Sequence, residues 1–245
     1  MTTAPVPAGP AHPAAPYPRS VNGLGTAAAV LLGLTALAFL ALFLGSWSDY
    51  QLLSDHVNGR VGEEAYWESY RGRIWSSVLP TLLAIPLVIA AGISWMTWLH
   101  RARTNAGVLS PHYPFRYSPG FSVVGMIVPF ANLWWSRPIL EDVCRGSSPH
   151  APADDLVRLV RTWWGIVIAS TVVSIVGQPL FPIRTLTYAP DGTLVDGGRE
   201  ALSSFFGVAV LNTVLAIAFA ASIAVFATIV RRVSALQTAQ LFPAR

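Results

Sequence analysis

Three residues near the middle of the chain share one face of a predicted helix. Trp98, Arg101 and Asn105 are spaced by three and four residues, which places their side chains above one another on a helix. The planar guanidinium group of arginine binds phosphates and carboxylates through two parallel hydrogen bonds. The spacing therefore indicates a polar clamp in which Arg101 or Arg103 holds a lipid phosphate.

Two other interpretations of the same residues stay open. Arg101 or Arg103 can instead pair with Glu141 or Asp142, which lie further along the chain. In the simplest interpretation, Trp98 lies at the membrane interface, and the two arginines after it set the orientation of a membrane helix.

A second group of residues interrupts an apolar segment at about 119–136. Pro129 removes a backbone donor, and the amide of Asn132 can bond to a freed carbonyl. Broken backbone at membrane depth occurs only where protein or a wet cavity covers it. This segment is therefore predicted to be a re-entrant loop that lines a pore, or a kinked structural helix. The candidate functional or structural residues are Trp98, Arg101, Arg103, Asn105, Pro129, Asn132, Trp134, Arg137 and Glu141.

The residue types exclude several classes of chemistry. All 16 basic residues are arginine, which excludes a P-loop, a Schiff-base lysine and the Ser-x-x-Lys acylases. The single cysteine, Cys144, excludes an intramolecular disulfide, and the five histidines form no i, i+4 pair. We expect no catalytic residues, no cofactor, no metal and no nucleic-acid partner. The net charge is +4. In a membrane protein, such an excess of arginine more often reflects basic cytoplasmic loops than nucleic-acid binding.

Composition identifies the elements that position these residues. Hydrophobic residues make up 53% of the 245 and charged residues only 11%, against roughly a quarter charged in a soluble domain. Five stretches of at least 20 residues carry no charge, and a helix needs about 20 apolar residues to cross a bilayer. We predict an all-α membrane protein with four transmembrane helices and a re-entrant or kinked third hydrophobic segment. The predicted spans are about 24–47, 76–99, 163–183 and 206–230.

Charge predicts how the chain is oriented in the membrane. Residues 1–20 contain six prolines and are predicted to be a disordered tail, and 21–245 form a single integral membrane domain. With both termini cytoplasmic, 11 of the 16 arginines lie inside, as the positive-inside rule prefers. An inverted five-span arrangement places ten arginines inside. It moves the loop around Arg103, which contains no Asp or Glu, to the outside. The lysine-free composition is typical of a GC-rich bacterial genome, so we expect the bacterial plasma membrane.

Several blocks of sequence also resemble a known family. They are Trp98–Ala106, Ser118–Phe121, Val128–Trp134, Arg137-Pro138 with Glu141, Trp163-Trp164 and Arg231–Gln237. Together they resemble the domain of unknown function 4328 family of bacterial membrane proteins. Ser234 is a minor departure, because threonine is expected there. The resemblance implies architecture only, because the family has no established activity.

These observations predict a non-enzymatic scaffold or regulatory membrane protein with a cytoplasmic platform at 100–162. The expected partners are the lipid bilayer, anionic lipid headgroups and an unidentified protein, and an oligomer is compatible with the sequence. The alternative is a small-solute channel or transporter whose path is lined by Pro129 and Asn132. An enzyme that acts on lipid headgroups is a third hypothesis, motivated only by Arg101, Arg103 and Asn105.

Overall fold

The computed structural model describes residues 17–128, 131–182, 186–190 and 194–243. Pro129 and most of the proline-rich tail lie outside these residues. In chain order the elements are α1 (Asn22–Val57), α2 (Glu63–Leu109), α3 (Pro119–Ile127), α4 (Ala131–Gly146), α5 (Asp154–Gly177), a 3-10 turn (Gln178–Leu180), β1 (Thr187–Tyr188), β2 (Leu194–Asp196) and α6 (Gly198–Leu241).

Four of the described helices are long and apolar enough to cross a membrane. They are α1, α2, α5 with its 3-10 turn, and α6, so the prediction of a helical fold with four helices able to span a membrane is confirmed. The helices are longer than the predicted spans: α1 has 36 residues and α2 has 47. Hydropathy marks only the apolar part of a helix, whereas the backbone hydrogen bonds continue until a residue stops them. Between α1 and α2, Gly59 takes a positive φ of 73°, which glycine adopts without steric cost.

The third hydrophobic segment is a pair of short helices. Ser118 caps α3 by accepting a hydrogen bond from the backbone N–H of Phe121, and Pro119 occupies the first turn. The helices are antiparallel, because Arg116 before α3 binds Asp142 late in α4, and Phe121 packs on Trp135. The nine residues of α3 extend only about 14 Å at 1.5 Å per residue. The segment is therefore a helical hairpin rather than one bent helix.

The elements meet at one end of the bundle in a region that we call the platform, comprising residues 17–21, 98–128, 131–162 and 226–241. Helix α1 packs on α2 and α6, α5 packs on α6, and α4 packs between α2 and α5. The core of the platform is apolar and completely covered. Its fully buried side chains include Trp98, Leu99, Leu140, Val143, Val160, Ile229 and Val233.

A smaller apolar cluster holds the opposite end of the bundle. Leu52, Leu53, Tyr66 and Ala201 are buried there, beside the antiparallel strands β1 and β2. His56 lies 3.0 Å from the hydroxyl of Tyr188 through Nε2, which ties α1 to the strand pair.

Candidate functional site

Trp98 lies in the core of the platform. Its side chain has no exposed surface, and Nε1 donates a hydrogen bond to the hydroxyl of Ser234 at 2.9 Å. Gly25 of α1 lies against this pair: a Cβ at that position would be 3.2 Å from Trp98 Nε1 and 2.9 Å from Val230 Cγ1. The interpretation of Trp98 as an interfacial tryptophan is therefore wrong, because protein covers it on every side.

Asn105 is the centre of a buried polar network. Its Oδ1 accepts a hydrogen bond from the backbone N–H of Arg19 at 3.0 Å, and its Nδ2 donates to the Arg19 carbonyl at 2.8 Å and to Gln237 Oε1 at 3.1 Å. Gln237 Nε2 in turn donates to the Ala102 carbonyl and the Ser147 hydroxyl, each at 2.8 Å. The network thus connects the segment before α1 with α2, α6 and the residue after α4.

Arg101 and Arg103 point to different parts of the platform. Arg103 is buried, donates through Nε and Nη2 to the Tyr117 carbonyl, and stacks on the ring of Phe115 at 3.5 Å. Burial lowers the pKa of the Arg103 guanidinium, and the charge of Asp142 partly opposes that shift. Arg101 is more exposed and donates through Nη1 to the Ser20 carbonyl at 3.3 Å.

Glu141 and Asp142 are bound by other arginines. Glu141 Oε1 accepts hydrogen bonds from Arg137 Nε at 2.9 Å and Arg161 Nε at 3.2 Å, and Arg116 Nη2 lies 3.6 Å from Oε2. Asp142 binds Arg116 through the backbone N–H, Nε and Nη2. The prediction that Arg101 or Arg103 pairs with Glu141 or Asp142 is therefore wrong. We call the bonded group of Arg116, Arg137, Glu141, Asp142 and Arg161 the carboxylate cluster.

The environment of the carboxylate cluster keeps Glu141 charged. Burial alone would raise the pKa of its carboxyl group, but the hydrogen bonds from Arg137 and Arg161 outweigh burial and lower it. The pKa of Arg116 is raised, because its bonds to Asp142 outweigh the opposing effect of burial. The cluster therefore acts as a charged connection between the segment before α3, α4 and α5.

The other predicted residues lie around the α3–α4 hairpin. Asn132 is half-buried, and its backbone N–H donates to the Val128 carbonyl at 3.1 Å. Trp134 is 70% exposed, and Arg137 lies over the ring of Trp164, 5.3 Å from its centroid. A cleft of about 500 Å³ is lined by Arg116, Trp134, Arg137, Pro138, Glu141, Trp164 and Ile168. Trp134 is thus a surface residue, and Arg137 joins the carboxylate cluster to the cleft.

Sequence reasoning missed four residues that bond to the predicted ones or to their partners. They are Arg116, Arg161, Ser147 and Gln237. The partners that connect them to other elements lie between 20 and 135 residues away, beyond the range of helical spacing. One signal was present: the adjacent acids Glu141-Asp142 stand in a segment rich in arginine, which favours an ion-pair cluster.

The carboxylates of the carboxylate cluster are paired with arginine, and the thiol of the platform is buried. The two carboxylates of the cluster are neutralised by arginine, so neither is available as a general base. Cys144 has no exposed surface, and burial, helped by the charge of Glu141, raises its pKa to about 12. A thiol in that state is a poor nucleophile.

Comparison with known proteins identifies a family. No curated protein and no solved structure matches the chain. A family model described as "Domain of unknown function (DUF4328)" matches residues 68–239, a range that contains the carboxylate cluster and the buried network apart from Arg19. Because this range covers well over half of the 245 residues, the chain belongs to the DUF4328 family.

Proposed function

We propose that this chain is a non-enzymatic scaffold or regulatory protein of a bacterial plasma membrane, which binds a cytosolic protein through its platform. The observation that carries the proposal is the carboxylate cluster, in which three arginines from separate segments converge on the buried Glu141. Such a cluster holds the surface of the platform in one arrangement. A preformed surface binds a partner with less loss of conformational entropy.

The topology that we infer has four spans, with both termini on the cytoplasmic side. Asn105 joins the segment before α1 to the end of α6 through Arg19 and Gln237, as expected for an even number of crossings. Ten of the 14 arginines that the structure describes lie in segments at this end, which favours the cytoplasm.

We further infer that the α3–α4 hairpin enters the membrane without crossing it. Val124, Ile127 and Trp134 near its tip are 56%, 60% and 70% exposed. Lipid contact accounts for this apolar exposure, because aromatic and aliphatic side chains are favoured at the interface and in the hydrocarbon region.

The charges on the platform surface favour an acidic partner. Exposed arginines lie on α4, α5 and α6, and the exposed acids nearest in sequence are Asp154 and Asp155 at the start of α5. Asp155 pairs with Arg158. The exposed arginines are Arg145, Arg158, Arg161, Arg231 and Arg232. Complementary charge on a partner would speed association and select against basic competitors.

The channel alternative has less support from the geometry. A path between the long helices would have to pass the platform core, where Trp98, Leu99 and Ile229 are fully buried. Asn132 belongs to α4, a 16-residue helix that packs on α2, α3 and α5, so it lies beside the four long helices rather than on one of them.

Site-specific photo-crosslinking in living cells tests the proposal. A photoreactive residue in place of Arg158 should give a discrete protein adduct, whereas one in place of Arg60 at the opposite end should not give the same adduct. Reversing exposed charge with Arg231→Glu and Arg232→Glu should weaken the Arg158 adduct without unfolding the protein. An adduct that is absent at Arg158 contradicts the proposal. Solute flux in proteoliposomes that Asn132→Leu abolishes would favour the channel instead.

A further inference from the structure

A second cleft, which we call the basic cleft, lies between the segment before α1, α2 and the start of α3. Its volume is about 710 Å³, larger than the cleft beside Trp134. Its lining includes Arg19, Met96, His100, Arg101, Thr104 and Val123.

The basic cleft carries positive charge that no lining residue balances. Arg19 and Arg101 line it, and no Asp or Glu is among the described residues of its lining. Within the described residues, neither Arg19 nor Arg101 takes part in an ion pair, and the nearby carboxylates of α4 are bound by the arginines of the carboxylate cluster. Arg101 uses Nη1 for the Ser20 carbonyl, which leaves Nε and Nη2 to bind an anion.

The wall of the basic cleft is built by buried interactions. Asn105 binds both the N–H and the carbonyl of Arg19, and Asn105 is itself 1% exposed and bonded to the fully buried Gln237. A buried polar network of this kind requires every member to be satisfied. The network holds the segment that carries Arg19 beside α2, opposite the start of α3.

The lining changes from polar to apolar along α2. Arg101 and Thr104 lie at the platform end, and Met96 lies about one turn closer to the middle of the predicted span, near Val123 of α3. His100 Nδ1 lies 3.2 Å from the Pro119 carbonyl, which fixes the ring between the two regions. A soluble anion would use only the basic part of this surface, whereas a phosphate with an attached acyl chain uses both parts.

We propose that the basic cleft binds the headgroup phosphate of an anionic phospholipid, with Arg19 and Arg101 on the phosphate and an acyl chain along Met96 and Val123. Arginine suits this role because its guanidinium donates two parallel hydrogen bonds to phosphate oxygens. The inference goes beyond the proposed function, because it concerns a lipid rather than a protein partner. The crosslinking result neither supports nor contradicts it.

Binding of short-chain lipids to the purified full-length protein in detergent tests the proposal. The probes are dioctanoyl phosphatidylglycerol, dioctanoyl phosphatidylcholine and inorganic phosphate, and bound lipid is counted by native mass spectrometry. We expect phosphatidylglycerol to bind about tenfold more tightly than phosphatidylcholine. Arg19→Gln with Arg101→Gln should remove that preference, and Arg158→Gln, which removes an exposed arginine elsewhere on the platform, should keep it.

Two further variants separate binding from folding. Arg19→Gln alone changes an exposed side chain while the backbone of that residue stays bonded to Asn105, so it should lower the affinity without changing the thermal midpoint. Arg19→Lys with Arg101→Lys should restore part of the preference, because charge is kept while the bidentate geometry is lost. An unchanged preference in the double glutamine variant would overturn the proposal. So would inorganic phosphate that competes as well as phosphatidylglycerol, since the site would then be one for free phosphate.

Discussion

The side-chain amide of Asn105 donates a hydrogen bond to the side-chain oxygen of Gln237 at 3.1 Å, across 132 positions of sequence. Asn105 is 1% exposed and Gln237 is fully buried. Through this bond, the platform ends of α2 and α6 form one unit with the segment that precedes α1. The same unit supplies one wall of the basic cleft, so stability and lipid binding are expected to depend on it in different ways.

Replacing Gln237 with leucine should destabilise the protein strongly. The change keeps the size of the side chain but leaves Asn105, Ser147 and the Ala102 carbonyl each without a bond that they now make. Each buried polar group left unsatisfied costs about 1–3 kcal/mol. Unfolding in a titration with sodium dodecyl sulfate measures the effect. Gln240→Leu is the matched control, because Gln240 is exposed and makes one bond to the Ser147 carbonyl; equal losses in the two variants would contradict the role of the network.

Gly25→Ala should lower stability, whereas Gly33→Ala should not. An added Cβ at Gly25 meets Val230, Ser234 and Trp98 at 2.9–3.2 Å, and at Gly33 it meets nothing within 4 Å. Overpacking of this kind costs about 1–3 kcal/mol. Thermal unfolding in detergent compares the two variants. If Gly25→Ala unfolds at the wild-type temperature, then α1 does not contact α2 and α6 as closely as described.

Glu141 should make the stability of the platform depend on pH. Its pKa is lower in the folded protein than its ordinary value, so it stabilises the folded state above the ordinary pKa of about 4.3. That contribution is lost as the pH falls through the folded pKa. Between pH 6 and pH 3, the wild type should therefore lose more stability than Glu141→Gln does, as measured by unfolding at each pH.

The control for Glu141 is the exposed pair of Asp155 and Arg158. Their side chains are 75% and 77% exposed, and exposed ion pairs contribute little, about 0–1 kcal/mol. Asp155→Asn should follow the wild type at every pH. If it changes the pH profile as much as Glu141→Gln does, the effect belongs to surface charge in general and not to the carboxylate cluster.

Cys144 should react slowly with thiol reagents in the folded protein. It has no exposed surface and its pKa is raised to about 12, so the reactive thiolate is scarce near neutral pH. Maleimide labelling should accelerate sharply on unfolding, which makes this single cysteine a reporter of platform integrity. His150→Cys in a Cys144→Ala background, at an exposed position nearby, should label at once. Comparable rates for the two sites in the folded state would contradict the burial of Cys144.

The sequence predicted the long helices and the shared face of Trp98 and Asn105. Apolar length and helical spacing are local properties, so both could be read directly from the residues. The spacing was informative beyond the helix itself, because Trp98 and Asn105 both bond to α6, through Ser234 and Gln237.

The sequence could not predict whether an apolar residue faces lipid or protein. Hydropathy measures the free energy of transferring a residue out of water, and it does not distinguish the lipid interface from a protein core. The interfacial interpretation of Trp98 was wrong for this reason. The ion partners of Glu141 depend on how α4 packs beside α5 and on the segment before α3. That packing follows from tertiary contacts, which the spacing of residues within one helix does not contain.

The side of the membrane on which the platform lies decides whether it can bind a cytosolic protein. In a Cys144→Ala background, Asn58→Cys places a thiol in the exposed connection between α1 and α2, and His150→Cys places one on the platform. A membrane-impermeant maleimide is applied to intact spheroplasts, and again after permeabilisation. If the platform is cytoplasmic, Asn58→Cys labels in intact spheroplasts, whereas His150→Cys and a tag at either terminus are reached only after permeabilisation. Labelling of His150→Cys in intact spheroplasts would contradict a cytoplasmic platform.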